Sequence, residues 1–353
     1  MISDVSLATE VKDRANRFDQ AEAVIRTPLG TAYWADSMRL MADVFEPQSV
    51  DLIVTSPPFG LVRKKEYGNA DADEYVQWFR PFAKEFKRVL KPQASLVIDI
   101  GGAWKPGLPT KSLYQYELLV TLCREFEFHL AQEFFWWNPS RLPTPAEWVN
   151  VRRIRVKDAV NSIFWLSPTP WPRASNRRVL TAYSDSMNEL LANGYKAKRR
   201  PSGHDISDKF SRDNGAAIPP NLLAVANTES NSSYLRYCEE NDLAPHPARF
   251  PATIPEFFIR FLTDPRDLVF DPFAGSCVTG EVAERLSRRW ICSEIERVYL
   301  EGARGRFQGN ATPKSNGSRE PAVYKIRRPG LRWNGVDDIP LLPKDGGQKR
   351  PVT

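Results

Sequence analysis

The chain has 353 residues, 42% of them hydrophobic and 26% charged, a balance expected of a soluble globular protein with one large core or two ordinary ones. No apolar run approaches the roughly 20 residues that span a bilayer, and the polar opening MISDVSLATEVKDRANRF does not read as a signal peptide. Cys123, Cys238, Cys277 and Cys292 form no CxxC pair and are joined by three histidines, which suggests neither zinc nor disulfides but a reducing cytoplasm; the net charge of +6 permits a polyanionic partner without requiring one.

The first 25 or so residues read as a helical or frayed extension, followed by a short strand Ala32-Tyr-Trp-Ala. Val50 to Thr55 (VDLIVT) is apolar and β-branched and runs into Ser-Pro-Pro, as a buried parallel strand with a loop at its carboxyl end would. Val76, Phe79, Ala83, Phe86 and Leu90 fall at helical spacing, with Asp71 and Asp73 near the start and Lys91-Pro92 as the stop. Ser95 to Ile100 predicts a second strand, Leu113 to Phe126 a helix and Leu130 to Trp137 a third strand.

From Pro139 to about Pro245, Pro, Asn, Ser and Arg dominate and periodicity weakens, as in a long functional insertion; Trp148, Phe164, Trp165 and Trp171 argue that it is ordered. The α/β pattern then resumes, with a helix over Pro255 to Leu262, a strand Leu268 to Phe270, a helix Thr279 to Leu286 and a strand Trp290 to Ser293 ending at Glu294. The tail after about Gly309 is rich in Pro, Gly, Lys and Arg and is expected to be flexible.

Two loops carry chemistry. Asp271-Pro-Phe-Ala-Gly-Ser276 joins a strand to a helix through small residues, the arrangement with which an open α/β sheet opens a ligand cleft and offers free N–H groups. Glu294 follows at the end of the next strand, at about the 20-residue distance expected of a carboxylate that accepts from ribose hydroxyls. The blander alternative is a tight turn and a solvated glutamate. In Thr55-Ser-Pro-Pro-Phe-Gly60, two prolines fix the backbone and remove two donors, leaving rigid carbonyl acceptors. Ser56 adds a hydroxyl and Phe59 a stacking face, a combination suited to an extruded base that presents an amino group; a plain Ser-Pro-Pro bend is the alternative.

At these residues the sequence resembles the amino-methyltransferases of bacterial restriction–modification systems in their β arrangement, where the catalytic motif precedes the cofactor motif. The Ser-Pro-Pro-Phe form looks like the cytosine-N4 subgroup. The strings TSPPFGLVRKKEYGN, NPSRLPTPAEWVN, RIRVKDAVN, RPSGHDI, IPPNLL and HPARFPATIPEFFIR carry the likeness, from about Tyr33 to Phe307. The resemblance implies an α/β, Rossmann-like S-adenosylmethionine-dependent methyltransferase sheet with a loop-rich target-recognition insertion. Its implied parts are an N-terminal extension (1–30), a catalytic half (31–138), a target-recognition region (139–245), a cofactor-binding half (246–309) and a flexible tail (310–353). It further implies that Ser56, Pro57, Pro58 and Phe59 form the catalytic loop. Asp271, Phe273, Gly275 and Ser276 would bind S-adenosyl-L-methionine with Glu294 on the ribose, and Asp36, Phe250 and Pro251 would complete that site. Asp36 and Phe250 also have plain readings as a helix N-cap and a core aromatic. Cys277 departs from relatives that carry Gly or Asn there.

The implied reaction moves a methyl group to the N4 amino group of cytosine in double-stranded DNA, with no covalent enzyme intermediate, and no Pro-Cys pair supports a cytosine-C5 mechanism. Arg63, Lys64 and Lys65 read as a loop closing over the base; Arg152, Arg153, Arg155 and Lys157, and a third cluster at Lys196, Lys198, Arg199 and Arg200, read as DNA contacts, a solvated basic surface being the alternative. A monomer acting at a palindromic CAGCTG-like site beside a cognate restriction endonuclease is expected. Competing readings are an adenine-N6 methyltransferase, an inactive DNA-binding module and, more distantly, a nicotinamide dehydrogenase.

Overall fold

The computed structural model describes residues 21–60, 72, 74–194, 213–227, 232–249 and 251–308. In chain order the elements are β1 (Glu22–Arg26), β2 (Gly30–Trp34), α1 (Ser37–Val44), β3 (Val50–Thr55), α2 (Tyr75–Val89), β4 (Leu90–Ile100), α3 (Tyr114–Arg124) and β5 (His129–Trp137). Then come β6 (Val160–Ser167), α4 (Asp185–Asn193), β7 (Leu222–Ala224), α5 (Ser233–Glu240), α6 (Thr253–Leu262), β8 (Leu268–Asp271), α7 (Val278–Arg285), β9 (Arg289–Glu294) and α8 (Arg297–Phe307). Residues 21–180 and 218–308 belong to one compact unit; residues 181–217 belong to a second, which holds α4 and an isolated bridge between Thr181 and Ala217.

The first unit contains a nine-stranded sheet in the order β1-β2-β9-β8-β3-β4-β6-β5-β7. β2, β9, β8, β3 and β4 pair in parallel, and β6 runs antiparallel between β4 and β5. All six residues of β3 are buried, as the unbroken apolar run predicts for a central parallel strand. Alternation along β6 sends neighbouring side chains to opposite faces. Phe164 joins the core built by Phe79, Phe86 and Leu118 of α2 and α3, while Trp165 meets Phe261 of α6 at 5.0 Å. Helices therefore cover both faces, the arrangement that lets a parallel sheet open a cleft at the carboxyl ends of its strands.

The predicted strands and helices lie where expected to within a few residues, and three regions differ. Glu22–Arg26 is a strand paired with β2, where an extension was expected: Val24 and Ile25 are buried, too short a run to show a period. The 139–245 segment contains β6, a central member of the sheet, whose NSIFWLS is buried on both faces and shows no alternation against its Pro- and Arg-rich surroundings. Helix α8 had no sequence signal, because Gly302 and Gly305 interrupt its apolar stripe where it packs on Cys238 and Tyr237 of α5.

Candidate active site

β8 and β3 are adjacent parallel strands, so the turns that follow them emerge side by side. They are bolted together: Thr55 Oγ1 donates to Asp271 Oδ1 at 2.6 Å, Thr279 Oγ1 to Asp271 Oδ2 at 2.7 Å, and the Phe273 amide to Asp271 Oδ1 at 3.1 Å. Asp271 is fully buried, and burial holds its carboxyl above the usual range against those three donors. Sequence placed it among cofactor-binding residues; the structure places it behind the cavity wall, fixing the position of both loops.

The turn after β8 then bends at Gly275, whose φ of +50° suits glycine. Its amide donates to Glu294 Oε2 at 2.8 Å, while Glu294 Oε1 accepts from the Glu296 amide at 2.9 Å. Glu294 is buried, and burial pushes its carboxyl up to about 7 despite the hydrogen bonds from the Glu296, Gly275 and Ile295 amides. A carboxylate oxygen with one donor keeps a further lone pair for a ligand hydroxyl. His246 closes over this bend: a Cβ on Gly275 would come within 3.1 Å of its Nε2. Phe273 packs against Phe82 at 5.1 Å and Trp78 at 5.8 Å, and Ser276 Oγ accepts from Arg306 at 3.1 Å. Asp36 caps α1 through its Oδ1, which accepts from the Met38 and Arg39 amides at 2.9 and 3.1 Å, and it also lines the cavity. Cys277 holds a left-handed φ of 55°, a conformation in which Gly and Asn are at ease; its side chain is fully buried.

On the other side, Ser56 Oγ donates to Asp99 Oδ2 at 3.1 Å. Asn161 Nδ2 donates to Asp99 Oδ1 at 3.2 Å, and Arg141 Nη1 donates to Asn161 Oδ1 at 2.9 Å. Ser56 follows β3, Asp99 lies near the end of the neighbouring β4 and Asn161 near the start of β6, so three neighbouring strands and the β5–β6 loop position one chain of polar contacts. Burial raises the Asp99 carboxyl to about 6, opposed by the Asn161 and Ser56 hydrogen bonds and the Arg141 charge. Phe59 lies over Gly101 so closely that a Cβ there would meet its ring at 2.6 Å.

One cavity of about 410 Å³ receives both halves, a size ordinary for small-molecule sites. Of the sequence-predicted residues, Asp36, Ser56, Pro57, Pro58, Phe59, Phe273, Gly275, Ser276 and Glu294 line it. Pro251 is buried and does not line it; Phe250, Arg63, Lys64, Lys65 and the cluster at 196–200 lie outside the described residues. Sequence reasoning missed Asp99, Asn161, Arg141, Trp78, Phe82 and His246, all of which line it. Only Asp99 carried a signal, as an acidic residue near the end of a buried strand.

The predicted cations are differently employed. Arg155 stacks on Trp104 at 3.9 Å and donates to the Pro109 carbonyl at 2.6 Å, and Lys157 donates to the Pro139 and Arg141 carbonyls at 3.3 and 3.0 Å. Arg152 pairs with Glu147 at 2.7 Å while remaining largely exposed. Arg153 is exposed and has no ion pair or hydrogen bond among the described residues.

Residues 50–304 match the family described as DNA methylase, a group of N6 and N4 methyltransferases. The chain belongs to this family. The type II methyltransferase M.PvuII of Proteus hauseri is 51% identical over 287 residues, covering 80% of this chain and 85% of that protein. M.BglII of Bacillus subtilis is 25% identical, covering 82% and 71%. The solved structure of the PvuII DNA methyltransferase (cytosine-N4-specific) superposes with a TM-score of 0.67 at 44% identity, covering 82% of this chain and 90% of that one. The fold is that of an S-adenosyl-L-methionine-dependent methyltransferase, as the motifs implied. The cradle fits that cofactor: a buried carboxylate with unused lone pairs stands beside a glycine bend and an aromatic wall. Among the described residues no group of side chains could hold a metal ion, and no helix is long and apolar enough to cross a membrane.

Proposed function

We propose that this DNA methylase acts on the exocyclic N4 amino group of cytosine in a specific site of double-stranded DNA. The observation that carries the reading is the Ser56–Asp99 hydrogen bond in the wall of the cavity that also holds Gly275 and Glu294. S-adenosyl-L-methionine, when bound, supplies an electrophilic methyl group. Glu294 would accept from its ribose hydroxyls and the Phe273–Ser276 turn would bound its methionine end, while Asp271 holds that turn against the catalytic loop.

On the substrate side, Phe59 stacks on the extruded base, and Ser56 Oγ and the Pro57 carbonyl accept from the amino group, fixing its nitrogen and favouring the charge it gains. The methylated nitrogen must lose a proton. Ser56 takes it while passing its own to Asp99 Oδ2, a carboxylate largely ionised at pH 7 yet basic enough to receive it, since it titrates near 6. The region 139–245 surrounding β6 supplies target recognition, with Arg152 and Arg153 on phosphates, and a CAGCTG-like palindrome is the site to test first. The protein works as a monomer in the cytoplasm, protecting DNA from a cognate restriction endonuclease.

Incubation with labelled cofactor and plasmid DNA, followed by nucleoside mass analysis, tests the reading. N4-methylcytosine is expected; N6-methyladenine, or no incorporation despite cofactor binding, would overturn it.

A further inference from the structure

Ser56 and the Pro57 carbonyl can recognise an amino group, but an amino group is common to cytosine and adenine. The two bases differ beside it. Cytosine presents, in order, a donor at N4 and acceptors at N3 and O2; adenine presents a donor at N6, an acceptor at N1 and a C–H at C2. Choosing cytosine therefore needs a donor placed for the 2-carbonyl, in the same cavity as the acceptor loop. The acceptor loop offers no backbone N–H at the two positions after Ser56, which are prolines, and the Ser56 hydroxyl proton is directed at Asp99.

From the geometry we infer that Arg141 is a specificity-determining residue whose guanidinium donates to the O2 edge of the target cytosine, an inference that rests on the cytosine-N4 reading above. Arg141 lines the cavity with Ser56, Pro57 and Phe59. It is half-buried and held at three points: its amide donates to the Asn138 carbonyl at 3.2 Å, its carbonyl accepts from Lys157 at 3.0 Å, and Nη1 donates to Asn161 at 2.9 Å. A guanidinium has five N–H donors, so the Asn161 bond leaves donors for a ligand. Through Asn161 and Asp99 the same contacts reach Ser56, so the group that would read the 2-carbonyl and the group that holds the amino nitrogen are set by one rigid chain.

Two other cavity-lining donors are already engaged, the Trp136 indole on the Val225 carbonyl at 2.8 Å and the Asn227 amide group on the Arg249 carbonyl at 2.8 Å, and of the cavity's donors Arg141 is the one joined to Ser56 through Asn161 and Asp99. With adenine in place, Arg141 would face a C–H and lose a charged hydrogen bond in a low-dielectric site, the kind of mismatch that rejects a substrate strongly.

The test couples one side chain to one base atom. Duplexes carry at the target either cytosine or a C-nucleoside analogue that keeps the amino group and N3 but has C–H in place of the 2-carbonyl; kcat/KM is measured for wild type and Arg141→Met. Wild type is expected to lose about 10- to 100-fold on the analogue. Arg141→Met is expected to lose a similar factor on cytosine and to show little further loss on the analogue. If both proteins pay the same penalty for the analogue, Arg141 does not read the carbonyl and the inference is overturned, even if the variant is slow. Should Arg141→Met fold poorly, Arg141→Leu, which likewise carries no donor, gives the same contrast: a reduced analogue penalty supports the inference, and an undiminished one overturns it. Because wild type is first shown to yield N4-methylcytosine, a wrong base or no product would strike the cytosine reading itself and not the role of Arg141.

Discussion

The two walls of the cavity are built in opposite ways. The cofactor wall is a contiguous turn whose buried carboxylates are tied down by backbone amides and hydroxyls: Glu294 by Gly275 and Glu296, Asp271 by Thr55, Thr279 and Phe273. The substrate wall is a chain of side chains, Ser56–Asp99–Asn161–Arg141, gathered from β3, β4, β6 and the loop before β6. Backbone donors hold fixed the carboxylates around a cofactor whose ribose takes no part in the bond changes. Side-chain hydrogen bonds leave protons that can shift and lone pairs that can be shared, which proton loss from an amino group requires. The difference implies that damage to one wall should leave the other's function measurable.

The largest expected break is at Ser56. Ser56→Ala should lower kcat about 100- to 1000-fold, the scale of removing one preorganised hydrogen-bonding group, while calorimetry finds cofactor affinity within about twofold of wild type; a parallel loss of affinity would mean that the walls are not separable. Glu294→Gln should do the converse, weakening the cofactor about 10- to 100-fold for lost charged hydrogen bonds while the rate at saturating cofactor stays within a few-fold. The same glutamate predicts a pH effect. It titrates near 7 when free and accepts more strongly when ionised, so cofactor affinity should fall as pH drops below about 7, by up to about tenfold per unit, and be flat above 8; titration calorimetry across that range checks the sign.

Smaller effects sharpen the contrast. Gly101→Ala places a methyl within 2.6 Å of the Phe59 ring and should cut kcat/KM on DNA about tenfold through misplacement of the stacking face, with cofactor binding unchanged. Among the cations, Arg152→Ala should weaken DNA binding only a few-fold and reduce its salt slope by about 1. Arg155→Ala should instead appear as a lower melting temperature, because Arg155 is half-buried on Trp104.

Legibility in the sequence divides along the same line. The cofactor wall could be read because its residues are adjacent: a strand, Asp-Pro-Phe-Ala-Gly-Ser, a helix, then a strand ending in Glu. The Ser-Pro-Pro-Phe loop was legible for the same reason. The partners of Ser56 were not, since Asp99 lies 43 residues and Asn161 a further 62 along the chain, and only the pairing of β3 with β4 and β4 with β6 joins them. Sequence reasoning saw the 139–245 region as a loop-rich insertion and so could not see that β6, at its heart, delivers Asn161. The local contacts of the cations were not legible, because charge alone does not reveal that Arg155 and Lys157 brace a loop. Asp271 was identified but given its neighbours' role: a carboxylate at the end of a strand can face a ligand or, as here, bolt two turns together.

The most direct test of the two-wall arrangement is the single-turnover methylation rate at saturating cofactor and DNA, followed from pH 5 to 9 for wild type and Asp99→Asn. If Asp99 receives the proton through Ser56, the wild-type rate climbs through an inflection near 6 and levels off, while the variant is about 100-fold slower and flat over that range. A wild-type rate that ignores pH near 6, or an Asp99→Asn protein that keeps the same inflection, would contradict it.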